Sequence, residues 1–379
     1  MKKTAKSPRR QGVNRSRVQG KRTPDGARQR SAGSGTGTRL VVGEILDMRD
    51  FWGRRMPRPL APAAVRGAIQ AHLGQPKNLL MESIGQLTGQ PAIRADFSII
   101  KAVHFQEGEF QYIYRVSARR RTGGRVSLAM VVAKDGHRTS ATARRELQNL
   151  HRLHRRAPRF VVTPLAGGPI PPAATGGRTG PPMFVYFTRW LPDLHELGVD
   201  RRHNFFINEV PIHGFSNRVS DILRGEILKM LFAFYDPADG SAPEPPQVAS
   251  GDFVISRPRP HEPFTLRLIA CRRMMRSVSL EGCLKSYLGY HGEWAGSVFN
   301  LVPKDPKLLF YALNEGLVTP NPGAVTWDRV RDALSAYAEA LKNSGGAPPQ
   351  WTPLPMLRKL LGSLHVYLKE VGGSGLKRT

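Results

Sequence analysis

Three residues of this 379-residue chain, far apart in sequence, have the side-chain types that phosphate chemistry uses: Lys134, Glu146 and Asp252. Lys134 closes the run Val131-Val132-Ala133-Lys134, an apolar, β-branched stretch that leaves a cation at the end of a strand. Glu146 lies three residues after Ala143 and four before Leu150, so a helix through this segment turns its carboxylate toward the buried side. A carboxylate facing a core needs a positive partner. Lys134 can supply one, and the ion pair would hold a cation in position for a phosphate; a salt bridge to an arginine three or four residues away is the competing reading. Asp252 follows Gly251 just ahead of a short hairpin, where a carboxylate either caps the turn or accepts a proton from an attacking hydroxyl.

The elements that must position these residues follow from periodicity and turn chemistry. Residues 97–104, 111–118 and 126–133 are apolar, β-branched or aromatic runs divided by glycine-bearing turns, which predicts a three-stranded antiparallel meander. Thr139 or Ser140 is the expected N-cap of a helix carrying Ala143, Leu147, Leu150 and His154 at helical spacing to about Arg156, with Pro158 ending it. Strand-like runs at 160–165 and 183–190 flank a Gly/Pro/Thr-rich stretch, 167–182, expected to be a surface loop. Leu223, Ile227, Met230, Leu231 and Phe234 form one stripe and predict a helix over 220–235. A hairpin over 252–256 and 264–269 comes next, and helices are expected at 327–342 and 354–371. Ahead of the meander, 40–46 and 61–80 are apolar and are separated by the proline-containing segment 54–62, which suggests a strand or turn followed by helices.

This order of strands, helix, strands, helix, hairpin and helices resembles the protein-kinase-like superfamily, including aminoglycoside phosphotransferases and lipopolysaccharide kinases, over about residues 95–285. The resemblance implies an α+β, bilobal kinase-like fold with a small antiparallel-sheet N-lobe and a helical C-lobe. The implied divisions are a disordered basic arm at 1–40, a helical extension at 41–94, the N-lobe at 95–192, the C-lobe at 193–343, and a linker with a final helix at 344–379. In that family a strand-end lysine holds nucleotide phosphates and a glutamate on the next helix pairs with it, roles that fall on Lys134 and Glu146. Gly108 is the one glycine where a phosphate loop belongs, flanked by Glu107 and Glu109, which repel phosphate. Asp252 falls on the catalytic base. Ser250 stands where the orienting histidine is expected, and Arg257 where a metal-binding asparagine is usual.

Ala270 or Cys271 replaces the carboxylate that ends the next strand, so Mg²⁺ lacks its usual hard-oxygen site and no metal ligand is assigned. Arg257, Arg272 and Arg273 are the expected ligand-phosphate residues, because guanidinium groups bind phosphate oxygens bidentately. The resemblance therefore implies a pseudokinase or atypical kinase that binds ATP, another nucleotide or a phosphorylated ligand between lobes. His151 and His154 stand three apart on the predicted helix without a Cys or carboxylate spaced to complete a metal site. Phe184, Tyr186, Phe187 and Trp190 read as a core strand and the hinge between lobes rather than a base-stacking platform.

Composition adds a second class of function. The formal net charge is +28, and residues 1–40 hold twelve Lys or Arg against one acid, Asp25, leaving +17 for the remainder. A flexible cationic arm is expected there, since the segment has almost no large apolar side chains to offset the entropy of ordering. A non-enzymatic protein binding nucleic acid or another polyanion is the alternative reading; a merely solvated basic surface stands beside it. Cys271 and Cys283 are too few for a disulfide framework and are expected to be core thiols. No run of 18 apolar residues and no secretory h-region occurs, so a cytoplasmic location is expected.

Overall fold

A computed structural model describes residues 37–44, 63–108, 110–134, 137–171, 182–199, 205–207, 213–245, 252–256, 265–289, 291–294, 297–343, 361–363 and 366. The fold is α+β, and residues Thr38–Thr379 form one compact unit. β1 (Arg39–Glu44) is followed by helices α1 (Ala63–Gly74) and α2 (Leu79–Thr88). The expected meander is present as β2 (Phe97–Glu107), β3 (Gln111–Arg120) and β4 (Arg125–Ala133). Helix α3 (His137–Arg156), β5 (Pro164–Ile170) and β6 (Met183–Arg189) complete a six-stranded sheet in the order β1-β2-β3-β4-β6-β5, with β1 parallel to β2 and the other pairs antiparallel.

Strand alternation makes this sheet the partition between two apolar cores. From β4 and β6, Met130, Val132, Val185 and Phe187 join α1 and α2 in one cluster. Val131, Ala133, Phe184 and Tyr186 point the other way and pack with Ala143, Leu147 and Leu150 of α3 in the second. Each large side chain so buried contributes about 1.5–3 kcal/mol by leaving water. Strand β1 and helices α1 and α2 are therefore part of the sheet's own packing on one side. The break between the helices is set by Asn78, whose side chain accepts from the Leu80 and Met81 amides to cap α2, and Gly89 at φ +69° ends α2.

The rest of the chain builds on the second core. Strands β7 (Leu194–Val199), β8 (Phe205–Ile207) and β9 (His213–Gly214) precede helix α4 (Asn217–Ala233), then come β10 (Ala242–Pro243), β11 (Phe253–Ser256), β12 (Leu266–Leu268) and β13 (Met274–Met275). Helix α5 (Leu280–Leu288), a hairpin of β14 (His291–Trp294) and β15 (Ser297–Asn300), and helices α6 (Pro306–Leu313) and α7 (Trp327–Asn343) follow. Leu223, Ile227, Met230 and Leu231 are buried along α4 as their spacing predicts, and β11 pairs antiparallel with β12 as the expected hairpin.

Three expectations are corrected. The 193–343 region is not purely helical: β11 and β12 join β7, β8 and β9 in a sheet of order β12-β11-β7-β8-β9. The strand Leu194–Val199 has no strong alternation, and Gly198 lets the Phe206 ring of its cross-strand partner lie where a Cβ would stand 2.6 Å away. Helix α3 begins at His137, before the expected caps, because the Thr139 hydroxyl donates to the Lys134 carbonyl and the Ser140 hydroxyl accepts from the Phe184 amide. Of the run expected as a strand over 160–165 only Pro164 and Leu165 are strand: a short 3₁₀ turn, Pro158–Phe160, comes first, and the strand starts at Pro164 and runs into the supposed loop. Gly167 permits this, since a Cβ there would meet Leu147 at 2.5 Å and Tyr186 at 2.7 Å. Of the arm expected at 1–40, residues 1–36 lie outside the described residues, and Arg39 and Leu40 belong to β1; residues 172–181 of the loop expected at 167–182 and most of the final helix expected at 354–371 also lie outside them.

Candidate functional site

Helix α3 delivers Glu146 to the interior as its spacing predicts: the residue is 1% exposed, among Ala143, Leu147 and Leu150. The hairpin β11–β12 brings Asp252 and Arg272 to the same place, because the Ile269 amide donates to the Asp252 carbonyl and the chain continues three residues to Arg272. Arg272 Nη1 donates to Asp252 Oδ1 at 2.8 Å, with the carboxylate side chain 5% exposed and the guanidinium side chain 30% exposed. Glu146 and the backbone of Cys271 make the second connection. The Cys271 amide hydrogen-bonds to the Glu146 carboxyl, while Asn149 Nδ2, one turn along α3, donates to the Cys271 carbonyl at 2.9 Å. Two side chains of one helix thus grip both polar groups of a single peptide residue, which fixes Arg272 beside them.

The electrostatics follow from burial. Desolvation pushes the Glu146 carboxyl up to about 7, opposed by the Arg272 charge and the Cys271 amide and reinforced by the negative charge of Asp252. Glu146 Oε1 has no hydrogen-bond partner. Tyr186, fully enclosed on β6, has its phenol pushed well above the ordinary range by burial and then by Glu146. Burial likewise raises the Cys271 thiol, and both cysteines are buried and free. The result is one guanidinium serving two carboxyl groups in a nearly dry corner between α3, β6 and the β11–β12 hairpin.

Lys134 takes a different partner from the one expected. Its Nζ lies 2.5 Å from Glu107 Oε1 and 5.3 Å from the centre of the Tyr112 ring. Strand parity explains this. Val131 and Ala133 pack toward α3, so the next residue along β4 follows Val132 and Tyr112 toward the opposite side of the sheet from Glu146. The charged neighbours of Glu146 are Arg272 and Asp252. Glu107, expected only to repel phosphate, is instead the counter-ion of Lys134.

Gly108 sits in the β2–β3 turn with its amide donating to the Gln111 carbonyl at 2.8 Å, which engages the N–H that a phosphate would need. Arg273 is largely exposed and lies 3.7 Å from Glu244. Arg257 and Ser250 lie outside the described residues. Among the described residues no three His, Cys, Asp or Glu side chains come together as metal ligands, and His151 and His154 are held below their ordinary range chiefly by burial. Asn149 was not singled out from sequence, and Tyr186 was read only as part of a core strand and hinge; the place of Asn149 on α3, close after Glu146, is the signal that could have found it. Compared with models of protein families and with curated proteins, the chain matches none.

Proposed function

We propose that this chain is a kinase-like, bilobal protein that binds a nucleotide or another phosphorylated ligand between its lobes without transferring phosphate. The observation that carries this reading is the Asp252–Arg272 ion pair beside buried Glu146. A general base must offer a free carboxylate to the hydroxyl it deprotonates. Asp252 already accepts from a guanidinium and is sealed at 5% exposure. Support for the frame comes from the strand order β2-β3-β4-β6-β5 with α3 inserted between β4 and β5, which is the succession on which the family resemblance rests.

The residues at this corner do not fit Mg²⁺. A hard divalent cation needs several carboxylate or carbonyl oxygens, whereas Asp252 accepts from Arg272 and burial raises the Glu146 carboxyl to about 7, which disfavours its anion. Ligand charge would instead meet Lys134, displacing Glu107 at the rim of the sheet. Thermal unfolding of the full chain with ATP or ADP in EDTA tests this: a rise in Tm that grows with nucleotide and is lost in Lys134→Ala is expected. No shift with either nucleotide would remove the nucleotide form of the reading, and a shift that requires Mg²⁺ would contradict metal-free binding.

A second reading, a non-enzymatic binder of nucleic acid or another polyanion, is favoured by a specific observation. Most of the net charge of +28 lies beyond the first 40 residues, so basicity belongs to the body as well as the N-terminal segment.

A further inference from the structure

The six-stranded sheet has two faces, and one of them carries positive charge in rows. Register places Arg39, Ile99, Arg119 and Arg125 side by side across β1, β2, β3 and β4. The next row on the same face contains Val41, Lys101, Ser117 and Ser127, and the one after it Val103, Arg115 and Ala129. The alternating residues of these strands, such as Ile100, Ala102, Tyr114, Val116 and Leu128, are buried against α1 and α2. Arg39, Ile99, Lys101, Arg119 and Arg125 are exposed. The Arg39-to-Arg125 row spans three strand spacings, about 14 Å. No acidic residue occupies these three rows.

Two features say what this face is for. Arg119 and Arg125 are direct cross-strand partners, an arrangement of like charges that destabilises a sheet unless something else uses it. Among the described residues Arg39, Lys101, Arg119 and Arg125 form no ion pair. At the other end of the face the Arg115 guanidinium lies 5.1 Å over the Trp190 ring, with its Nε lacking a hydrogen-bond partner, and Phe105 meets Trp190 edge to face at 5.0 Å. Unpaired cations leading to an aromatic and guanidinium platform fit a chain of phosphates carrying flat bases. A flat strand surface offers no helix or ribbon to enter a duplex groove, which favours a single strand.

We propose that the open face of β1–β4 is a docking surface for single-stranded nucleic acid, with Arg39, Lys101, Arg119 and Arg125 on the phosphates and the Arg115–Trp190 pair stacking a base. This rests on the polyanion reading and adds a site to it. The site is separate from the Asp252–Arg272 corner.

The test is fluorescence anisotropy of the full chain with labelled 20-nucleotide oligo(dT) and oligo(U) across a salt series, using wild type, Arg119→Glu, Arg119→Glu/Arg125→Glu and Trp190→Ala. Because R119E alone gives Arg125 an opposite-charge partner, the single variant serves as a folded control whose Tm does not fall. The expected result is a Kd raised tenfold or more by the double variant, with the slope of log K against log salt reduced by about 1.4, two contacts at about 0.7 each for single strands. Trp190→Ala is expected to weaken binding several-fold with little change in slope, as loss of stacking requires. Absence of any salt-dependent binding in wild type overturns the polyanion reading itself. Binding that persists unchanged in the double variant overturns the sheet face while leaving that reading in place. Tighter binding to duplex than to single strand, or to anionic lipid vesicles than to either, overturns the choice of partner.

Discussion

Two carboxylate–cation contacts on opposite sides of the six-stranded sheet show how differently the same chemistry behaves in two surroundings. At the rim, Lys134 and Glu107 meet at 2.5 Å with their side chains 25% and 24% exposed. In the interior, Arg272 and Asp252 meet at 2.8 Å with the carboxylate almost sealed and a second carboxyl, Glu146, close by. Water can replace either partner of the first pair at little cost, whereas removing Arg272 from the second takes the countercharge from a carboxylate that water barely reaches. A rim pair can open for a ligand. The interior pair ties the two ends of the β11–β12 hairpin together beside α3 and is unsuited to proton transfer.

The largest effect separating the two is expected from Arg272→Met. It takes the guanidinium away from the buried Asp252 carboxylate and from beside Glu146, so urea unfolding should show a loss of about 3 kcal/mol, the lower part of the range for a buried pair because the guanidinium is partly exposed. A loss below about 1 kcal/mol would mean that the interior pair behaves like the rim pair.

Next comes the pH dependence carried by Glu146. Its carboxyl titrates at about 7 when folded, against 4.5 for the ordinary group, so the folded state binds more protons between these values. This contribution is fully present below pH 4.5 and is lost as pH rises through 7, by an amount on the order of 3 kcal/mol. Arg272, Asp252, Tyr186 and Cys271 are titratable groups that interact with it. Glu146→Gln keeps an acceptor for the Cys271 amide and should flatten that slope, leaving the variant more stable than wild type at pH 8; an unchanged slope would show that Glu146 is already ionised. The smallest effect is expected from Lys134→Ala, within about 1 kcal/mol at low salt and fading as salt is added. A larger, salt-insensitive loss would make the rim pair structural.

The comparison also shows what periodicity can deliver. The meander, α3, α4 and the hairpin at 252–256 were legible because alternation and helical stripes report which side a residue buries, and Glu146 was placed correctly for the same reason. Lys134 was misassigned by one step of that alternation: the motif Val-Val-Ala-Lys marks a strand end, but the parity of Ala133 turns the lysine away from α3. The sheet of β7, β8 and β9 was missed because its strands are short and one is interrupted by Gly198, so packing by Phe206 defines it more than propensity does. Arg272 was picked out as a phosphate ligand, and its carboxylate partner emerged only with the hairpin closed, since Asp252 lies twenty residues earlier.

The most direct test of the account is phosphate release from ATP with Mg²⁺ by the full chain, measured beside Asp252→Asn and Arg272→Met. With Asp252 held by Arg272, wild type and both variants are predicted to share the background rate. Mg²⁺-dependent turnover by wild type that disappears in Asp252→Asn would contradict the account, because it would show Asp252 leaving its arginine to act as a base.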